Sequence, residues 1–140
     1  MSRGEFLTNA NADDRKSTKS LEIHLKVMQD NPKVDVIYAD ILVTQSPNET
    51  FENNTATGIY PSPPDASFDA ILNRGAPHNT PLWRKRLHKK SGIFSHEYKS
   101  AGDLEMWLRF LEDGAVFGKI NAPLGLYYMN PSGMSTNKET

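Results

Sequence analysis

Apolar positions along this chain fall into two spacings, and each predicts a different element. Around residue 24 the spacing is helical. Leu21, Leu25 and Met28 recur on one side, with His24 and Val27 beside them. Ser17 or Thr18 is placed to cap that helix, and Asn31-Pro32 to stop it. The next run, Val34 to Asp40, is β-branched and aromatic and predicts a strand. Ile41-Leu42-Val43-Thr44 either prolongs this strand or opens the next.

Further on, helical spacing returns in Phe68 to Gly75, with glycine as the stop. Asn79 to Arg84 predicts a strand, leading into a short helix from Lys85 to Ser91 and a turn at Gly92-Ile93-Phe94. The strongest amphipathic pattern runs from Gly102 to Asp113, with Leu104, Trp107, Leu108 and Leu111 on one face and Gly114 at the end. Val116 to Ile120 and Leu124 to Tyr128 predict strands, and residues 5–10 a short one. Residues 45–66 carry the turn signals Ser46-Pro47-Asn48 and Pro61-Ser62-Pro63-Pro64. Thr50-Phe51 and Thr57 to Tyr60 are candidate short strands within that stretch. Alternating strands and helices predict an α/β fold, a mixed sheet flanked by helices. We expect one domain over residues 1–130 and a polar tail over 131–140.

Composition removes several function classes. A net charge of −1 gives no global electrostatic case for nucleic acid or an anionic membrane. With no cysteine, disulfides, thiolate zinc sites and a cysteine nucleophile are excluded. No apolar run approaches the ~20 residues of a spanning helix. Residues 1–6 lack the apolar stretch of a signal peptide. These features are compatible with a cytoplasmic protein. A His-x-x-x-His pair, a P-loop and a Gly-x-Gly-x-x-Gly fingerprint are all absent.

The chemistry that remains is carried by carboxylates. Asp13 and Asp14 follow Asn11-Ala12, and hard oxygen ligands of this kind suit Mg²⁺ or Mn²⁺. On spacing alone, the stretch also reads as a polar loop before a helix, and that reading is the stronger. Asp103 and Glu105 open the best helix, where a carboxylate can act as general base or complement the helix dipole. Arg84 to Lys90 is the densest basic stretch, able to meet phosphate or to form a solvated helix face. Trp83 could stack on a sugar, whereas Trp107 shares an apolar helix face and reads as core.

Taken in order, these pieces resemble glycosyltransferase family 2, with its GT-A fold, from the metal motif onward. The resemblance rests on Leu7 to Arg15, the strand Val34 to Asp40, Pro81 to His88, Gly92-Ile93-Phe94, Ala101 to Arg109 and Leu124 to Tyr128. It implies that Asp13 ligates the metal and that Asn11 and Asp14 contact the donor, with Asn11 standing where the family's Asp-x-Asp has its first aspartate. It implies that Asp103 is the catalytic base of an inverting transfer. Trp83, Arg84, His88 and Glu105 become candidate acceptor or phosphate contacts. The implied cofactor is Mg²⁺ or Mn²⁺, and the implied partners are a nucleotide-sugar and a carbohydrate or other hydroxyl acceptor.

The family's N-terminal nucleotide-binding half has no counterpart in this sequence. The resemblance therefore implies a partial GT-A fold, inactive as an isolated chain. It also implies a sheet edge left open to self-association, and so a homo-oligomer. The alternative is a non-catalytic fragment, monomeric or dimeric, that binds a carbohydrate or a partner.

Overall fold

The computed structural model describes residues 2–133. Of the polar tail, residues 134–140 lie outside the described residues. Ten elements follow one another: β1 (Phe6–Thr8), β2 (Arg15–Lys16), α1 (Ser20–Asp30), β3 (Val36–Thr44), β4 (Ile59–Tyr60), α2 (Phe68–Arg74), β5 (Leu82–Arg84), α3 (Leu87–Ser91), α4 (Gly102–Glu112) and β6 (Phe117–Tyr128). The strands form one mixed sheet in the order β1-β5-β3-β6-β2, with β4 added beside β3. β3 and β6 pair in parallel, and every other pairing is antiparallel.

Alternation along β3 builds two cores. Val36 and Tyr38 face one cluster, with Trp83, Ile71, Met106, Trp107 and Phe110. Ile37, between them, faces the other, with Met28 and Leu82. Side chains one residue apart on a strand point to opposite faces, so the sheet is covered by α1 on one side and by α2 and α4 on the other. Each large apolar side chain buried fully here contributes about 1.5–3 kcal/mol.

Two helices sit in a different rotation from that expected. In α1 the buried residues are Ser20, His24 and Met28. Leu21 is 55% exposed and Leu25 37% exposed. The stripe turns because His24 Nε2 lies 2.7 Å from the Thr80 carbonyl and draws the helix around. Neither Ser17 nor Thr18 is the N-cap, which is Lys19 without a side-chain bond. Thr18 is bound instead to Glu52, through both its N–H and its hydroxyl. In α4 the fully buried stripe is Met106, Trp107 and Phe110, and Leu104, Leu108 and Leu111 flank it.

The strands differ from expectation in three places. β6 is continuous from Phe117 to Tyr128, where two strands were expected. Its register against β3 slips on either side of Asp40, which absorbs Pro123 without ending the ladder. Beside that slip, Lys119 Nζ and Asp40 Oδ1 form a largely buried ion pair at 2.9 Å. Asp40 also accepts the Ser62 N–H at 2.8 Å. β2 had no sequence signal, and within residues 45–66 only Ile59–Tyr60 becomes a strand. The outer strands of the path, β1 and β2, have three and two residues.

Candidate active site

The acidic loop is fastened from both ends. Asn11 Nδ2 donates to Asp14 Oδ2 at 2.9 Å, and Asp14 Oδ1 accepts the Tyr128 N–H at 3.1 Å. Burial pushes the Asp14 carboxyl above its usual range, and the bonds from Asn11 and Tyr128 oppose the shift. Lys16 follows on β2 and donates to Thr8 Oγ1 at 2.6 Å and to Asn9 Oδ1 at 3.3 Å. Burial lowers the Lys16 ammonium to about 8, against the pull of Asp14. Asp13 is exposed, at the outer side of the same loop.

A second loop, between α2 and β5, supplies the opposite wall. α2 stops at Gly75, whose left-handed φ of 67° lets its N–H close on the Ile71 carbonyl. His78 is also left-handed, with φ 55°, which is uncommon for a residue with a side chain. Asn79 Nδ2 donates to the Leu126 carbonyl at 3.0 Å. Thr80 Oγ1 donates to the Ala39 carbonyl at 3.1 Å and accepts the Ala39 N–H at 3.0 Å. The threonine side chain thus takes the place of a strand partner before Pro81, which has no N–H to offer.

Between the loops lies a cavity of about 770 Å³. Its polar wall includes Asn11, Asp14, Gln45, His78, Asn79 and Asp103. Its apolar wall includes Ile41, Val43, Ile59, Tyr60, Leu104 and Met129. Asp103 stands exposed at the start of α4, where Oδ1 accepts the Leu104 N–H at 2.8 Å. The His78 ring meets Tyr60 edge-on at 5.6 Å, and its Nε2 is buried without a partner. Burial holds the His78 imidazole below its ordinary value, and the Asp103 charge opposes that.

The structure thus brings Asn11, Asp14 and Asp103 to one cavity. It does not bring Trp83, Arg84 or His88 there. Trp83 Nε1 donates to His88 Nε2 at 3.0 Å, and the indole packs edge-on against Trp107 at 5.0 Å. His88 Nδ1 then donates to the Gly92 carbonyl at 2.7 Å, so both ring nitrogens are used in packing. Arg84 donates to the carbonyls of Val34 and Met28, which ties β5 to α1. Glu105 pairs with Arg109 one helical turn on, in a separate shallow depression with Phe68, Tyr98 and Leu108. Sequence reasoning missed His78 and Asn79. Their one signal was a polar pair set between a helix-stopping Gly75 and the strand-opening Pro81.

A divalent cation is implied by the resemblance. The donor chemistry here is hard oxygen, which suits Mg²⁺ or Mn²⁺. Both Asp14 oxygens already accept protein hydrogen bonds, and Asp13 is exposed on the same loop but does not line the cavity. Among the described residues no three His, Asp or Glu side chains gather to enclose a metal. Asp13 would need the rest of its coordination shell from water or from ligand oxygens.

No family model matches the chain, and no curated protein matches it in sequence. Solved structures are similar in fold. The structure of residues 1–349 of S. aureus TarS, a glycosyltransferase, superposes with a TM-score of 0.67 at 17% identity, over 91% of this chain and 36% of that one. A second S. aureus TarS structure gives 0.63 at 18% identity, over 93% of this chain and 23% of that one. The chain therefore spans about a third of the first TarS structure and about a quarter of the second. At this identity the likeness concerns the fold, which is glycosyltransferase-like. No described helix is long and apolar enough to cross a membrane.

Proposed function

We propose that this chain is a segment of a family 2 glycosyltransferase. In this reading it passes a sugar from a nucleotide-sugar to an acceptor hydroxyl with inversion at the anomeric carbon. One observation carries the reading. Asp14 and Asp103, 89 positions apart in sequence, line the same cavity in a glycosyltransferase-like fold.

Asp103 lines the cavity with Oδ1 on the Leu104 N–H, and its carboxylate acts as general base. It takes the acceptor proton as the acceptor oxygen attacks the anomeric carbon. The bond from that carbon to the phosphate oxygen breaks, and its electron pair leaves with the nucleoside diphosphate. Asp13 would hold Mg²⁺ or Mn²⁺, which would supply positive charge to offset that of the departing diphosphate. Asn11 and Asp14 shape the loop that presents Asp13.

The test uses the natural polypeptide that contains this chain, assayed against a panel of nucleotide-sugars with Mn²⁺. Asp103→Asn should lower transfer by about 10²–10⁴-fold, the range of general-base catalysis. The product should carry the anomeric configuration opposite to that of the donor. Undiminished transfer by Asp103→Asn, or a retained configuration, removes the reading.

A further inference from the structure

Tyr127 stands where the acidic loop meets the cavity, and its place on β6 is fixed from three sides. It pairs with Val43 of β3. The preceding Leu126 pairs with Arg15 of β2, and the following Tyr128 gives its N–H to Asp14 Oδ1 at 3.1 Å. Partners in a parallel ladder carry their side chains to the same face, and alternate residues of a strand share it. Ile41, Val43 and Tyr127 lie on that face, and all three line the cavity. Tyr127 is thus held by paired strands on the cavity floor, against the acidic loop.

Its hydroxyl has no task in the fold. Tyr38, by contrast, gives its O–H to the Pro63 carbonyl. Tyr127 is half-buried, and among the described residues its hydroxyl has no hydrogen-bond partner and is not sealed from water. The phenol is pushed above its ordinary value, first by burial and then by the charges of Asp14 and Asp13. Both carboxylates of the loop therefore reach it, and it keeps its proton at neutral pH. Among the described residues that line the cavity there is no lysine or arginine. A group that gains negative charge there finds only neutral donors in the wall. Gln45, Thr57 and Ser100 offer theirs from loops, and Tyr60 from a strand of two residues. Tyr127 offers its own from the long strand that anchors the acidic loop.

We infer that the Tyr127 hydroxyl donates a hydrogen bond to a phosphate oxygen of the departing nucleoside diphosphate. The word departing rests on the glycosyltransferase reading, whereas the contact with a diphosphate stands without it. As the acceptor oxygen bonds to the anomeric carbon, the bond from that carbon to the diphosphate breaks, and its electron pair goes to the diphosphate. Tyr127 keeps its proton throughout and shares it with the oxygen that gains charge. A donor already fixed in place needs no reorganisation at that moment.

The test uses the natural polypeptide that contains this chain, with its tyrosines labelled with ¹³C at Cζ, the carbon that bears the hydroxyl. The probes are the diphosphates of uridine, guanosine, adenosine, cytidine and thymidine, each with Mg²⁺, and the same nucleosides without phosphate. The Tyr127 Cζ signal, identified by its absence in Tyr127→Phe, should shift and saturate with at least one diphosphate. Tyr127→Phe should weaken that diphosphate at least about fivefold, as loss of a hydrogen bond to a charged group does, and leave its nucleoside within about twofold. Transfer by Tyr127→Phe should fall at least about tenfold, as loss of a donor to developing charge does. The melting temperature of Tyr127→Phe should match the wild type, because the hydroxyl holds nothing in the fold. Tyr128→Phe, whose side chain alternates to the other face of β6, is the control and should change neither affinity. A Tyr127 signal silent to every diphosphate, undiminished diphosphate affinity or transfer in Tyr127→Phe, or an equal loss of nucleoside affinity overturns the inference. Asp103→Asn separates the two claims. A responsive Tyr127 with undiminished transfer by Asp103→Asn removes the glycosyltransferase reading alone. Transfer lost in Asp103→Asn with a silent Tyr127 removes this inference alone.

Discussion

Asp14 Oδ1 accepts the backbone N–H of Tyr128 at 3.1 Å, and this bond joins the acidic loop to the end of the last strand. The two aspartates of the loop therefore have different tasks. Asp14 is buried and anchors the loop, while Asp13 is exposed. Asp14→Ala leaves the Tyr128 N–H and the Asn11 amide without their partner, and should cost about 1–3 kcal/mol. Asp13→Ala should change stability by less than about 0.5 kcal/mol, as exposed substitutions usually do. Urea unfolding measures both. Under the proposed function, Mn²⁺ broadening of nearby NMR signals should weaken in Asp13→Ala, although its fold is intact. Equal destabilisation by the two variants would contradict this division.

Arg84 is the basic residue whose place differs most from a phosphate contact. It is 8% exposed. Nε and a terminal nitrogen donate to the Val34 and Met28 carbonyls at 2.9 and 3.0 Å, and the guanidinium lies 5.1 Å above the Phe6 ring. Lysine offers a point charge in place of this planar fork and cannot reach both carbonyls in the same geometry. Arg84→Lys should cost about 1.5–3 kcal/mol, the range for hydrogen bonds from charged groups. Ligand binding in the cavity should change little in the fraction that stays folded. A stable Arg84→Lys with impaired binding would return Arg84 to the site.

Two kinds of element were legible: α4, whose apolar residues repeat at helical spacing because one face is covered, and the first half of β3, whose unbroken β-branched and aromatic run is buried on both faces. What stayed illegible depends on contacts distant in sequence. The rotation of α1 is set by His24 meeting Thr80, 56 residues away. β2 exists because Arg15 and Lys16 pair with Leu126 and Gly125. The unbroken β6 needs β3 beside it to carry Pro123 through a register slip. At the site, the carboxylates Asp14 and Asp103 were legible as residue types. His78 was not, because its significance lies in a burial and a backbone angle that no spacing encodes.

Gly125 allows the close approach that holds the His78 loop in place. A Cβ there would stand 2.4 Å from Asn79 Oδ1 and 2.7 Å from Thr80 Cγ2, both well inside van der Waals contact. Gly125→Ala should therefore force the Asn79-Thr80 segment off β6 and cost about 1–3 kcal/mol, as overpacking does. The shift passes directly to the neighbouring His78 on the cavity wall. Gly58, also on the cavity wall, has nothing within 4 Å of such a Cβ, and Gly58→Ala is the control. It should be neutral or stabilise by up to about 1 kcal/mol through the unfolded chain. Thermal melts of both variants decide the matter.

Acid should weaken the fold before the carboxylates titrate. His24 is 2% exposed, and burial holds its imidazole below the ordinary 6.5, although the Ser20 and Thr80 carbonyls favour the charged form. His78 is lowered by burial as well. In the window below 6.5 and above these lowered values, the unfolded chain binds protons that the folded chain does not. The stabilisation is complete above 6.5 and is lost as pH falls through that window, by up to about 1.4 kcal/mol per pH unit for each histidine. Asp14 works in the opposite sense lower down. Its raised carboxyl favours the protonated folded form, so acidification below its folded value adds back stability until the ordinary 3.8 is passed. Urea unfolding from pH 7.5 to 5 should show a falling midpoint, and His24→Gln should flatten that fall while lowering stability at every pH. An unchanged slope in His24→Gln would place the acid sensitivity elsewhere.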